Sequence, residues 1–265
     1  MSQSQLITVV IPSLNQGRFL NQALESIFIT NLPIEVFVMD GGSTDGSIQV
    51  IKKWESRLAG WRSCKDLGQA SAINEGVALG SAPYLCWLNS DDYFLPGGLD
   101  NLYSQILNYP LAPVVYGNVW NVDWKSNVRN KVRVEPFDSA RLALRCLISQ
   151  PGSLIRRSMW ESVNGLDETL HMAMDYDLWW RLYIKFGPLV HFDCFVAVNR
   201  EHSGAKTFNF RGRHYSEAIS IVRKYNNYLP LKWWLFMPYS VWFKSLMAKI
   251  YIFDEWFRKR KFLNE

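Results

Sequence analysis

Two adjacent carboxylates, Asp91 and Asp92, stand in the string WLNSDD at the end of an apolar run. At the end of a buried strand, such a pair repels and loses hydration, so it needs a cation or strong hydrogen-bond donors nearby. A divalent ion that bridges Asp91 to a diphosphate would meet this need. The alternative is a loop in which Asp92, or else Asp91, caps a helix that begins near Pro96, because Asp is a preferred N-cap.

Polar residues also follow two other apolar runs. Ser13 and Asn15 come after LITVVIP, and Asp40 closes IEVFVMD before the string GGSTDG. If these runs are parallel strands, their carboxyl ends meet at one edge of a sheet, where open α/β sheets bind ligands. The sequence therefore predicts one site that combines Ser13, Asn15 and Asp40 with residues 89–92.

The elements that must position these residues alternate between strands and helices in the first half of the chain. Apolar runs predict strands at 6–11, 34–40, 61–64 and 84–88. Apolar spacing and turn residues predict helices at 18–29, from about 44 to 58 and at 69–79. This order is typical of a parallel sheet with helices on both faces.

The second half of the chain has a less regular pattern. It predicts strands at 114–119, 131–135, 153–157 and 189–198, and helices at 138–147, 158–163 and 175–186. Everything beyond Gly212 is predicted to be helical. Trp179 and Trp180, within the helix at 175–186, are predicted to lie in the core, whereas Trp160 is open to either assignment.

Charge and composition indicate which partners and which cellular location are expected for the chain. The net charge of +5 is uneven, because residues 223–265 hold nine Lys or Arg and three Asp or Glu, which gives +6. This basic segment is also rich in aromatic residues, which favours an anionic membrane surface over nucleic acid as its partner. The four cysteines form no CxxC pair and are predicted to be reduced core thiols. The first residues do not resemble a signal peptide, so a cytoplasmic location is expected.

Four ordered strings resemble glycosyltransferase family 2, the inverting enzymes with the GT-A fold. They are VVIPSLNQGRFLNQALESI (9–27), EVFVMDGGSTDGS (35–47), KDLGQASAINEGVALGSAPYLCWLNSDD (65–92) and QPGSLIRRSMWESVNGLDETLHMAMDYDLWWRL (150–182). The resemblance implies a GT-A catalytic domain over 1–211, with a nucleotide-binding half (1–92) and an acceptor-binding half (93–211). Residues 212–265 form a helical extension. The expected fold class is α/β, with a mostly parallel central sheet.

The resemblance implies a site for Mn²⁺ or Mg²⁺. Family members carry DxD where this chain has Asn89, Ser90 and Asp91, so the metal is expected on Asp91, while Asn89 contacts a ribose hydroxyl. His202 occupies a region where the family places a residue on the metal or diphosphate, and a structural role for it is the alternative. Lys206 is a predicted phosphate partner.

The nucleotide pocket is also implied by the resemblance. Asp40 is expected to accept a hydrogen bond from a uracil or thymine imide, because a carboxylate is a strong acceptor. For Gln69 and Asn74, the polar face of an ordinary helix is the alternative. The residues expected to bind the nucleotide sugar are Pro12, Ser13, Asn15, Asp40, Asp66, Gln69, Asn74, Asn89, Ser90, Asp91 and Lys206.

Asp175, in MDYDLWWRL, occupies the place of the family's general base at the start of a helix. Inverting transfer needs one carboxylate to take the proton of the acceptor hydroxyl. Apart from the resemblance, Asp175 reads as a helix N-cap. Asp177, two residues on, is expected to point elsewhere. His171 is expected to contact the acceptor or the donor sugar.

The function predicted from the resemblance is transfer of a sugar from a UDP- or dTDP-linked donor to a saccharide or lipid-linked acceptor. The alternative is a non-catalytic nucleotide-sugar or glycan-binding subunit, because the first acid of DxD is missing. An interfacial helix in 231–263 would contact the inner face of the membrane, and packing on the catalytic domain or on a partner is the other reading.

Overall fold

The computed structural model describes residues 4–123, 129–202, 204, 206–243 and 246. Within these residues the strands are β1 (Ile7–Ser13), β2 (Ile34–Asp40), β3 (Gly60–Ser63), β4 (Tyr84–Trp87), β5 (Tyr93–Phe94), β6 (Val114–Asp123), β7 (Arg129–Lys131), β8 (Ser153–Arg156) and β9 (Val190–Glu201). The helices are α1 (Gly17–Ile27), α2 (Ser47–Trp54), α3 (Gln69–Leu79), α4 (Gly98–Asn108), α5 (Ser139–Leu142), α6 (Arg157–Ser162), α7 (Met174–Phe186), α8 (Lys206–Asn209), α9 (Arg211–Asn226) and α10 (Leu231–Met237).

The first half of the chain forms the parallel part of the sheet, as predicted. The strand order is β3-β2-β1-β4, and each neighbouring pair is parallel. All seven residues of β1 are buried, which explains its continuous apolar run. The register sets Ser13 opposite Asp40, so the polar residues at the ends of β1 and β2 lie level with each other.

The second half of the chain makes the sheet mixed. β8 pairs antiparallel with both β4 and β6, whereas β9 runs parallel to β6. The short β5 pairs antiparallel with β9, with Tyr93 opposite Val198. This last pairing brings the end of β9 back to the residues that follow β4.

Helices cover both faces of the sheet, and each face has its own hydrophobic cluster. Along β1, Val10 joins one cluster while Ile7 and Ile11 join the other, as the alternation of a strand requires. Trp179 and Trp180 are 0% and 3% exposed in the first cluster, which confirms their predicted core positions. Trp160 belongs to the same cluster.

Three predictions about local structure are wrong. The strand predicted at 131–135 ends at Lys131, because the chain leaves the sheet and turns Glu135 toward three arginines. The helix predicted at 138–147 is the single turn α5. Cys64 is exposed rather than buried, although all four cysteines, which lie in the described part of the chain, are free thiols.

The C-terminal helices pack on the rest of the molecule. Tyr215, Ala218 and Val222 of α9 enter the same hydrophobic cluster as α7, and Trp233 of α10 joins them. The helical pattern is interrupted at 227–230, and a π-helical turn, Pro238–Phe243, follows α10. Of the predicted tail helix, residues 244, 245 and 247–263 lie outside the described residues. Among those described, no helix combines the length and apolar character needed to cross a bilayer.

Candidate active site

A single cavity of about 1130 Å³ lies at the carboxyl ends of β1 and β4 and reaches the start of α7. Both halves of the chain line it. The predicted residues in its lining are Pro12, Ser13, Asp66, Gln69, Asn89, Ser90, Asp91, His171, Asp175, His202 and Lys206. Three other predicted residues, Asn15, Asp40 and Asn74, are outside the described lining.

Asp91 and His202 form a direct pair across the cavity wall. Asp91 Oδ2 lies 2.9 Å from His202 Nε2, although the two residues are 111 positions apart in the chain. The reason is the antiparallel pairing of β5 with β9, which sets the residues before Tyr93 beside those after Val198. The structure thus brings together the two residues that were predicted to hold a metal.

The imidazole of His202 is held in place from several sides. Its side chain is fully buried, its ring packs 4.9 Å from the ring of Phe19, and its Nδ1 faces Arg18 and the N–H of Gly204. A carboxylate beside an imidazole suits a divalent ion such as Mn²⁺, and Mg²⁺ commonly takes one or two carboxylates plus substrate phosphates. The described residues contain no group of three or more potential metal-ligating side chains. Asp91 and His202 supply a carboxylate and an imidazole, which are two ligand types that such an ion takes.

Asp92 is a buried structural carboxylate, not a helix cap. It is 2% exposed and accepts hydrogen bonds from the backbone N–H of Arg200 and from Asn89 Nδ2. Burial, and then the charge of Asp91, raises the pKa of Asp92 well above its usual range. The N-cap of α4 is Gly97, whose left-handed conformation (φ 73°) a glycine adopts readily. The prediction that Asp92 caps this helix is therefore wrong.

A chain of hydrogen bonds explains the amide at position 89. Lys206 Nζ donates to Gln69 Oε1, Gln69 Nε2 donates to Asn89 Oδ1, and Asn89 Nδ2 donates to Asp92 Oδ2. An ammonium can only donate, so Gln69 must accept through Oε1 and donate through Nε2, and Asn89 must accept through Oδ1 and donate through Nδ2. An aspartate at 89 would add a third carboxylate here and could not donate to Asp92 when ionised.

Each half of the Asn89 amide makes one of these bonds, so one Nδ2 hydrogen and one Oδ1 lone pair stay available, and the ribose contact stays a prediction. Ser90 is buried in the cavity wall at 3% exposure. Burial lowers the pKa of Lys206, while the nearby charges of Asp66 and Asp91 act in the opposite direction. Lys206 consequently lies near the two carboxylates where a diphosphate is expected.

The predicted nucleotide end of the cavity contains Ser13 and Asp66. Ser13 Oγ is buried in the wall and, among the described residues, meets no hydrogen-bond partner. The carboxylate of Asp66 accepts a hydrogen bond from the N–H of Gly68 and lies 3.3 Å from Arg62 Nη1. Arg62 was not predicted from the sequence. It also forms an ion pair with Glu75 at 2.6 Å. Of these groups, Ser13 and Asp66 line the cavity.

Asp40 stabilises a turn instead of facing the cavity. Its carboxylate is fully buried and accepts hydrogen bonds from the backbone N–H groups of Gly42 and Ser43 and from the hydroxyls of Ser43 and Ser63. Three of these bonds end on Oδ2 and one ends on Oδ1, and Asp40 lies outside the described lining of the cavity. The prediction that Asp40 accepts a base imide is therefore not supported by its position.

Asn15 and Asn74 each tie two segments together. Asn15 Oδ1 accepts a hydrogen bond from the N–H of Thr44, which links the loops after β1 and β2. Asn74 donates to Leu166 O and Glu168 Oε1 and accepts from the N–H of Leu166. The prediction that Asn74 completes the donor pocket is wrong, because its amide is used to hold the segment that precedes α7.

Asp175 lies in the cavity wall in the first turn of α7. Its Oδ1 accepts the N–H of Tyr176 at 2.8 Å. Burial raises the pKa of the Asp175 carboxyl, while the Tyr176 N–H and the nearby His214 offset part of the increase. Asp177 points away, as predicted, and pairs with Arg181 at 2.6 Å. A carboxylate with a raised pKa in a cavity can accept a proton at neutral pH.

Glu217 of α9 is a residue that sequence reasoning missed. Its carboxylate accepts hydrogen bonds from three successive backbone N–H groups, those of His171, Met172 and Ala173. Its partial burial would raise the pKa of Glu217, but these bonds and Arg213 hold it below the usual range. Glu217 thus caps the start of the helix that carries Asp175, from 44 positions beyond Ala173. A lone glutamate in a helical pattern carries no signal of this role.

Comparison with known proteins accords with this geometry. Residues 8–172 match the model of the family described as Glycosyl transferase family 2. The chondroitin synthase of Escherichia coli is 26% identical over 207 residues, which are 76% of this chain and 30% of that protein. The chain therefore spans about a third of the length of this relative.

Two solved structures establish the fold. S. aureus TarS 1–349 in complex with UDP-GlcNAc matches with a TM-score of 0.67 and 17% identity, over 83% of this chain and 66% of that one. The mannosyltransferase PcManGT from Pyrobaculum calidifontis, in complex with GDP-Man and Mn²⁺, matches with a TM-score of 0.66 and 18% identity, over 94% of this chain and 70% of that one. The α/β architecture predicted from the sequence is confirmed as the GT-A fold. Because the family model covers more than half of its residues, the chain belongs to glycosyltransferase family 2.

Proposed function

We propose that this chain is an inverting glycosyltransferase that uses a UDP- or dTDP-linked sugar. The acceptor is a hydroxyl of a saccharide or a lipid-linked saccharide. The observation that carries the proposal is the shared cavity of Asp175 and the Asp91–His202 pair. Family membership and the nucleotide sugars bound by TarS and PcManGT support use of a nucleotide-sugar donor, and the UDP-GlcNAc bound by TarS supports a uridine nucleotide.

The donor is held at the end of the cavity formed by the first half of the chain. Ser13 and Asp66 offer an acceptor and a carboxylate to the nucleoside, and Lys206 and Gln69 lie near Asp91 for the diphosphate. Mn²⁺ or Mg²⁺ held by Asp91 and His202 would neutralise negative charge on the departing diphosphate. Asp66, which lines the cavity, is the carboxylate available to a base, whereas Asp40 is buried outside the described lining.

Asp175 acts as the general base. Its carboxylate takes the proton of the acceptor hydroxyl while that oxygen forms a bond to the anomeric carbon. The bond from this carbon to the diphosphate oxygen breaks on the opposite face, and its electron pair leaves with the nucleoside diphosphate. A single displacement inverts the anomeric configuration. The raised pKa of Asp175 suits this role, because a base works best when its pKa is near the operating pH.

Substitution of the base tests this proposal. We expect Asp175→Asn to lower transfer by roughly 10²–10⁴-fold, while UDP binding in the presence of Mn²⁺ survives. Asp100→Asn, a change outside the described cavity lining, is the matched control. Transfer that persists in Asp175→Asn would show that another group is the base. Binding of UDP by the wild-type chain with no turnover across donor and acceptor panels would favour a non-catalytic binding subunit.

A peripheral membrane contact is the second part of the proposal. Apolar side chains of α10 and the following turn are exposed, with Leu235 at 68% and Trp242 at 65%. Lys232 and Arg223 lie over aromatic rings of the same surface, at 5.6 Å from Phe236 and Trp234 respectively. Exposed apolar side chains beside cations suit the headgroup region of an anionic bilayer.

Vesicle binding tests this contact in the full chain. We expect Leu235→Gln combined with Trp242→Gln to lower co-sedimentation with phosphatidylglycerol vesicles, and Leu111→Gln to leave it unchanged. Leu111 is 85% exposed on another part of the surface, so it controls for the loss of an exposed apolar side chain. Equal binding of the double variant and the wild type would exclude this surface.

A further inference from the structure

Three arginine side chains gather around one carboxylate, Glu135, in the second half of the chain. Glu135 lies 2.8 Å from Arg133, 2.6 Å from Arg141 and 2.6 Å from Arg145. Among the described residues, Glu135 is the one carboxylate that forms ion pairs with these three arginines. We call Arg133, Arg141, Arg145 and Glu135 the arginine cluster. It carries two more positive charges than negative ones.

Lys232 of α10 adds a further positive charge to the arginine cluster. Trp233 anchors this helix, because its Nε1 donates to Ala143 O at 2.8 Å, directly beside the cluster in the chain. Desolvation, followed by the charges of Arg145 and Arg133, lowers the pKa of Lys232. The positive charges of Lys232 and of the arginine cluster repel each other. A bound anion would reduce this repulsion and so stabilise the folded state.

The arginine cluster opens into the cavity that contains the base. Arg133 and Arg145 both line it, and the side chain of Arg133 is 72% exposed. Cys146, the neighbour of Arg145, also lines the cavity. Burial, and then the charge of Asp175, raises the pKa of the Cys146 thiol. Cys146 and Asp175 line the same cavity, and the arginine cluster begins one residue away from Cys146.

The donor end of the same cavity contains carboxylates as well as the cation Lys206. Asp66 and Asp91 line it, and the buried Asp92 accompanies them. A nucleoside diphosphate with its cation would occupy these residues, so the arginine cluster is available to the other substrate. Guanidinium groups bind carboxylates and phosphates through paired hydrogen bonds.

We infer that the arginine cluster, with Lys232, is an anion-binding subsite for the acceptor. The acceptor then carries a phosphate or carboxylate group near the hydroxyl that attacks. This inference rests on the proposed function, because it takes Asp175 as the group that meets the acceptor. It deepens that function by giving the acceptor a chemical class.

Binding of simple probes tests the subsite without knowledge of the natural acceptor. The full chain is saturated with UDP and Mn²⁺, so that the donor end is occupied, and is then titrated by calorimetry with glucose 1-phosphate, methyl glucuronide and methyl glucoside. We expect at least one charged probe to bind about tenfold more tightly than the neutral glucoside. Tighter binding of glucose 1-phosphate identifies a phosphate-bearing acceptor, and tighter binding of the glucuronide identifies a carboxylate.

Variants establish where the charged probe binds. We expect Arg145→Gln to remove this preference, and Arg133→Gln to reduce it. Arg133 is the more exposed of the two, so its variant stays informative if Arg145→Gln unfolds. Lys53→Gln, on α2, is the charge-matched control. Equal affinity for charged and neutral probes, or the same loss in Lys53→Gln as in Arg145→Gln, would overturn the inference.

The same titration without UDP separates this inference from the proposed function. If the chain binds no UDP but still prefers a charged sugar through Arg145, the subsite stands and the donor assignment fails. If UDP binds and Asp175→Asn abolishes transfer while the charged probes show no preference, the proposed function stands and the subsite fails.

Discussion

The two ends of the cavity are built in different ways. At the donor end, Ser13 is the last residue of β1, and Asn89 and Asp91 follow β4, which is the parallel neighbour of β1 in the sheet. At the base end, Asp175 is held by a helix start that Glu217 caps from α9. The donor end therefore depends on the sheet, whereas the base end depends on hydrogen bonds between helices that are distant in sequence.

The two ends also differ in charge. The donor end, where a cation and a diphosphate are proposed to bind, combines Asp66 and Asp91 with Lys206, while Arg133, Arg145 and Lys232 give the base end a positive surplus. A cleft whose two ends differ in charge can orient two different substrates. Substitutions at each end should consequently affect different steps.

The largest expected effect is at the metal pair. We expect Asp91→Asn to lower transfer roughly a thousandfold and to weaken UDP binding only when Mn²⁺ is present, because the amide cannot replace a charged ligand. Calorimetry with and without Mn²⁺ checks this. Asp175→Asn is the counterpart at the base end, where binding should survive. If both variants lose UDP binding equally, the assignment of Asp91 to donor binding and of Asp175 to proton transfer is wrong.

Loss of the helix cap should affect the base end alone. We expect Glu217→Ala to lower kcat up to about a hundredfold at an unchanged KM for the donor, because three backbone N–H groups lose their acceptor and Asp175 shifts. Steady-state kinetics measures this. Glu217→Gln, which keeps one acceptor oxygen, should recover part of the rate, and Glu161→Gln on α6 is the surface control. A raised donor KM with normal kcat would contradict the positioning role.

Restoring an acid at position 89 should destabilise the donor end. We expect Asn89→Asp to cost about 1–3 kcal/mol of unfolding free energy at neutral pH, because Asp92 loses a donor and gains a like charge. The new carboxyl would titrate with a raised pKa, so the cost should disappear as the pH falls below the ordinary value of an aspartate. Urea unfolding at several pH values checks this. Asn89→Ala, which adds no charge, should show no such pH dependence.

A smaller effect is expected in the stability of the base end. Burial raises the pKa of Asp175 above its ordinary value of 3.8, so the folded state holds this proton more tightly than the unfolded chain. The contribution of this proton to the free energy of unfolding is fully present below the ordinary pKa of an aspartate. It is lost as the pH rises through the raised pKa of Asp175. Asp175→Asn should therefore be more stable than the wild type at neutral pH, and equal to it in acid. A constant difference across pH would show that the carboxyl has no raised pKa.

The sheet of the first half was predictable because its pattern is local. Each apolar run that ends in a polar residue was confirmed as a strand, and α3 begins and ends as predicted, at Gln69 and Leu79. The segment 131–147 was not predictable in the same way. Its alternating apolar residues suggest a strand, but three arginines bind Glu135 and draw the segment out of the sheet.

In the candidate site, too, some features could be predicted from local sequence and others could not. The types of residue in WLNSDD and in MDYDLWWRL led to Asp91 and Asp175, which do lie in one cavity. The partners of Asp40 and Asn74 could not be read from the sequence, because each side chain bonds to backbone groups that only the folded loops bring near. Glu217 was missed for the same reason.

The sequence by itself determined the family, the order of strands and helices in the first half, and the identity of the carboxylates at the strand ends. These follow from residue type and short-range periodicity. Three hydrogen bonds were decided by the tertiary structure alone. They join His202 to Asp91, Asn89 to Asp92, and Glu217 of α9 to the backbone just before α7. Each of these contacts joins side chains or backbone groups through the packing of the whole chain, so that no local pattern records it.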